Sequence, residues 1–67
     1  MLSFKLNQQT ATKKGLLTPV MKMIEGIETY ILVLQTDDNK AFVIGKSFGE
    51  RKILNLAYKF VYGTSEY

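Results

Sequence analysis

The chain has 67 residues, 46% of them hydrophobic, a net charge of +3, and neither cysteine nor histidine. A single domain of this size hides only about 60% of its unfolded surface, and without disulfides or imidazole ligands it lacks the staples that small domains use to make up the difference. The same two absences exclude acyl transfer by a Ser-His or Cys-His pair and remove the commonest metal ligands.

Dense packing or self-association is what remains, and the absence of cysteine fits a reducing, cytoplasmic setting. Met1 to Gly15 has no apolar block of the kind a secretory signal needs, and the longest uninterrupted apolar run is Tyr30 to Leu34, so no contact with a membrane is expected. Charge is unevenly spread. Residues 1–24 hold Lys5, Lys13, Lys14 and Lys22 and no acid, whereas residues 25–67 hold five bases and six acids. The basic character therefore belongs to the first third of the chain, where it suits phosphate or an acidic protein face.

In chain order, Leu2, Phe4 and Leu6 alternate with Ser3, Lys5 and Asn7, the period-2 pattern of an edge strand buried on one face. Gln8 to Gly15 is polar and without period, and reads as a flexible basic loop carrying Lys13 and Lys14. Leu16 to Gly26 supports two readings. Thr18-Pro19 with Gly26 beyond would frame a short helix over 19–25, whereas Val20, Lys22 and Ile24 alternate with Met21 and Met23 as in a strand that turns at Glu25-Gly26. The strand is favoured, with Pro19 near its start.

Glu28 to Gln35 is rich in β-branched and aromatic residues and predicts a strand. Thr36-Asp37-Asp38-Asn39 then supplies turn formers before Lys40 to Gly45 returns as its hairpin partner. Ser47 and Glu50 have the Ser-x-x-Glu spacing of a capping box, and Gly63 sits where a helix end wants a left-handed residue. A helix over Phe48 to Tyr62 follows, with Ile53, Leu54, Leu56, Ala57, Phe60 and Val61 on its apolar side. Thr64 to Tyr67 reads as a tail. The expected fold is a single α+β domain, an antiparallel sheet of three or four strands with one C-terminal amphipathic helix on one face.

One helix covers one face of such a sheet. Tyr30, Ile31, Leu32, Val33 and Leu34 would point large apolar groups to both faces. If Tyr30, Leu32 and Leu34 meet the helix, Ile31 and Val33, together with Phe42 or Ile44, form an apolar cluster on the other side, which predicts a homodimer.

Candidate chemistry is sparse. Asp37, Asp38 and Asn39 lack further metal ligands at useful spacing, so neither a metal nor a cofactor is expected. Gly45-Lys46-Ser47 stands between a strand and a helix as the tail of a phosphate loop would, but the position five before Gly45 is Lys40 and not glycine. What survives there is a helix start beside Lys46 and Arg51 suited to a lone anion. A metal-free ribonuclease using Glu50, Arg51, Tyr58 and Lys59 is a distant reading.

The other side of the last helix carries Arg51, Asn55, Tyr58 and Tyr62, with Lys52 and Lys59 beside them. Those residue types serve protein interfaces and nucleic-acid recognition alike. Turns between two long helices, heptads and zinc-ligand patterns are all missing. The sequence thus points to a small non-enzymatic interaction protein, an inhibitor or adaptor that occludes a protein partner, of a size seen among proteins carried by mobile genetic elements. A nucleic-acid-binding regulator that uses the same helix face and Lys13 and Lys14 is the alternative.

Overall fold

The structure is a computed structural model that describes residues 4–62. Four antiparallel strands, β1 (Thr10–Thr12), β2 (Gly15–Ile24), β3 (Ile27–Gln35) and β4 (Ala41–Ser47), form one sheet in chain order, and the helix α1 (Glu50–Tyr62) packs on one of its faces. This is the α+β arrangement expected from the sequence, with different boundaries at the N-terminal side. Gly63 and the tail from Thr64 lie outside the described residues, as does Leu2.

Residues 19–24 are extended, so the alternative short helix over 19–25 is not formed. Pro19 fits inside a central strand because of where its backbone points. Its carbonyl accepts the Asn7 N–H at 2.6 Å on the side away from β3. In a strand the N–H and C=O of one residue point the same way, so the missing donor removes no bond from the β2–β3 ladder.

No strand forms over residues 4–9. Phe4 is nonetheless buried, Leu6 is half-buried against the core and Lys5 is exposed. The alternation of the sequence therefore records one-sided burial of a segment that crosses the core flank without strand pairing. Asn7, in the left-handed region at φ 63°, turns this segment away. The polar stretch 8–15 contains β1, paired through Thr10↔Leu17, Ala11↔Leu16 and Thr12↔Gly15. In the Lys13-Lys14 turn the Thr12 hydroxyl donates to the Gly15 carbonyl at 2.7 Å and accepts the Lys14 N–H at 3.2 Å. Gly15 has φ 141°, and a Cβ there would stand 2.3 Å from the Gln35 carbonyl oxygen, so only glycine fits.

The β2–β3 hairpin closes at Ile24↔Ile27 through Glu25 and Gly26, both at positive φ, the turn whose twist matches the flanking strands. In the β3–β4 turn the Asn39 N–H donates to the Thr36 carbonyl at 3.0 Å and the Thr36 N–H to the Lys40 carbonyl at 2.8 Å, with Asn39 left-handed at φ 68°. The Thr36 hydroxyl also donates to the Asp38 carboxylate, which holds that carboxyl below its ordinary pKa.

Leu17, Leu32, Leu34, Ile53 and Ala57 form the buried centre together with Phe4. Register explains the choice: Leu17 pairs with Leu34 and Pro19 with Leu32, so each row presents its side chains to the same face, beneath α1. Burying a leucine or isoleucine of this kind contributes about 1.5–3 kcal/mol. The helix begins later than the capping-box spacing implies. Gly49 accepts the first helical bond, from the Ile53 N–H at 3.1 Å, while the Ser47 hydroxyl donates to the Gly49 carbonyl at 2.9 Å. Glu50 is consequently the first helical residue and cannot complete a capping box with Ser47.

Candidate functional site

The face of the sheet opposite α1 has no covering element among the described residues. Its rows, read from the pairing, are Ala11, Leu16, Gln35 and Ala41, then Thr18, Val33 and Val43, then Val20, Ile31 and Lys46, then Lys22 and Thr29, and last Ile24 and Ile27. Ile31, Val33 and Val20 are half-buried by their neighbours alone, whereas Val43 is 63% and Ile27 57% exposed. Thr29 is buried, and its hydroxyl is satisfied by the Ile27 carbonyl at 3.2 Å. Along these rows there are two lysines and no carboxylate. At about 4.8 Å between strands and about 3.3 Å per residue, the face spans roughly 450 Å² before side-chain relief, within the range in which apolar patches mark interaction sites.

The four residues expected to cluster there divide. Ile31 and Val33 stand on the open face. Phe42 pairs with Leu34, which places it on the helix-bearing face, half exposed at the margin of the core. Ile44 falls where β4 has one residue more than β3, between the Leu32↔Gly45 and Val33↔Val43 pairs, and is the unpaired residue of a β-bulge. Val43, and not Phe42, stands beside Val33 on the open face, since the bulge shifts the alternation along β4.

The helix face expected to bind a partner also divides. Arg51, Lys52, Asn55 and Lys59 are exposed. Tyr58 instead turns toward the core, its ring edge-on to Phe4 at 5.0 Å between centroids, and Tyr62 stacks on Tyr58 at 5.9 Å. Phe4 is the reason: the N-terminal segment adds an apolar flank beyond the sheet, which widens the buried side of the helix to include Tyr58.

Lys13 and Lys14 meet the end of α1. Lys14 Nζ lies 4.8 Å from the centre of the Phe60 ring, a cation–π distance. Between the turn and the helix runs a groove of about 590 Å³ lined by Ala11, Thr12, Lys13, Lys14, Phe60, Val61 and Tyr62. It joins residues almost fifty positions apart, so no local pattern announces it. A second, shallower groove of about 330 Å³ lies between α1 and the β4 edge, lined by Lys46, Ser47, Lys52, Asn55, Leu56 and Lys59.

No family model, curated protein or solved structure matches this chain. Its surfaces therefore have to be read on their own chemistry. Among the described residues, no three carboxylates gather to hold a metal ion, and no helix is long and apolar enough to cross a membrane. Tyr30, whose hydroxyl reaches the Glu28 carboxylate at 3.5 Å, has its pKa raised, first by desolvation and then by the charges of Glu28 and Glu50.

Proposed function

We propose that the chain is a non-enzymatic interaction protein, a homodimer joined through its open sheet faces, which acts as a cytoplasmic inhibitor or adaptor by covering a protein partner. The observation that carries this reading is the uncovered face around Ile31, Val33 and Val43, apolar at its centre and free of acids. Among the described residues no element lies over it, and a second copy is the commonest cover for such a surface.

Self-pairing suits the charge pattern. With a two-fold axis lying between the faces and running across the strands at Val33, the Lys22 end of one copy points away from the Lys22 end of the other, and Lys46 stays at the β4 edge. Like charges then separate while the Val33 and Val43 row meets its own copy and the Val20 and Ile31 row meets Leu16 and Ala11. The face offers roughly 450 Å² per copy, the size of a small interface that forms and parts with concentration. The dimer would leave free the groove beside Phe60 and Val61, whose apolar floor and lysine rim suit a protein segment that mixes apolar and acidic side chains.

Sedimentation equilibrium at micromolar concentration tests this reading. The wild-type chain should run as a dimer and the Val43→Glu variant as a folded monomer. A wild-type chain that remains monomeric at these concentrations overturns the proposal.

A further inference from the structure

We infer that the shallow groove between α1 and β4 is a binding track for the phosphodiester backbone of a nucleic acid, gripped by Lys46, Lys52 and Lys59. This goes beyond the dimer reading and does not depend on it. Turning 100° per residue, Lys52, Asn55 and Lys59 fall within about 60° of one another on the side of the helix opposite the buried Ile53 and Ala57. Lys46 starts on the open face opposite Ile31, but β4 is the edge strand, and the side chain lines the same groove over that edge, with the Ser47 hydroxyl and the Asn55 amide as further polar groups.

Two features point to phosphate. The first is the segregation of charge. The groove is lined by three lysines and no carboxylate. The acids of the described residues sit elsewhere: Glu25 and Glu28 at the β2–β3 hairpin end, Asp37 and Asp38 in the β3–β4 turn, and Glu50 half a helical turn around from Lys59. The one ion pair found among the described residues joins Lys40 to Asp38, so none of the three groove lysines is neutralised. The second is the lining itself. Protein interfaces are depleted in lysine and anchored by aromatic rings, whereas this groove has Leu56 as its single apolar member and no ring. Ammonium groups on flexible stems suit phosphates as point charges. The near absence of groups that read base edges makes the binding indifferent to sequence.

Fluorescence anisotropy with a labelled 20-base-pair DNA duplex tests the assignment. Three phosphate contacts predict that affinity falls about forty-fold between 50 mM and 200 mM salt. The Lys46→Ala, Lys52→Ala, Lys59→Ala variant should bind at least ten-fold more weakly at 50 mM salt and lose most of the salt dependence, while Lys13→Ala, Lys14→Ala keeps both. All three substitutions are at exposed positions, and an unchanged circular dichroism melt checks that the fold is intact. No duplex binding by the wild-type chain at 50 mM salt overturns the inference, as does an equal loss in the Lys13, Lys14 variant. Displacement of the duplex by polyglutamate of matched charge at equal concentration would likewise overturn it, in favour of an acidic protein.

Discussion

Leu32 and Leu34 point from β3 toward α1 and are buried, while Ile31 and Val33, of similar size and on the same strand, point the other way and are only half-covered. One face is stabilised by an element of its own chain. The other has the residues of a core and no lid among the described residues. That contrast separates the side chains that hold the helix to the sheet from those that on this reading would meet a second copy.

The sharpest way to test it is to cut both faces. Leu32→Ala should cost about 2–5 kcal/mol, read from urea unfolding, because the cavity lies between β3 and a fixed helix. Val33→Ala, measured on dilute protein, should cost about 1 kcal/mol or less. Equal losses would remove the distinction between the faces. Gly15→Ala comes next at about 1–3 kcal/mol, since its methyl group meets the Gln35 carbonyl oxygen and the residue is held at positive φ. It acts on backbone geometry and so should not depend on protein concentration.

Val43→Glu is expected to change the dilute stability by no more than about 0.5 kcal/mol, because the side chain is exposed. Its effect should appear instead as the loss of a Tm that rises with protein concentration. The smallest effect belongs to the far turn. The Asp38 carboxyl has a folded pKa below its unfolded value, chiefly through the Thr36 hydroxyl. Its contribution is therefore present above about pH 3.9, the unfolded value, and is lost as pH falls through the folded value. Thr36→Val should move the Asp38 titration upward in a carbon-detected NMR experiment and leave both sheet faces untouched.

The β3–β4 hairpin and the helix are legible because each rests on a local signal: β-branched runs, Thr36 to Asn39, and the apolar period of Ile53, Ala57 and Val61; Pro19 and Gly26 frame a short helix as readily as a hairpin, so β2 is legible only as one of two readings. What escaped local reading depends on distant parts of the chain. The Leu2 to Leu6 alternation correctly implies a buried Phe4 but not that its pairing partner is missing, since burial and hydrogen bonding leave the same trace in a sequence. Thr10 and Thr12 carried a weak β-propensity that the surrounding polar residues masked. Phe42 lies on the helix-bearing face because a bulge at Ile44 reverses the alternation of an edge strand, and nothing from Phe42 to Gly45 marks the extra residue in the sequence. Tyr58 looked like surface until Phe4 arrived beside it.

The β2–β3 hairpin outreaches its support. Every residue from Met21 to Glu28 is exposed, while the Leu17–Leu34 and Pro19–Leu32 rows below are clamped by the helix. Opening must therefore start at Gly26 and travel inward like a zip, so that amide protons of the tip exchange with solvent long before those of Leu32. Strand register is decided at the clamped end, and a change of length at the tip has no way to propagate into it.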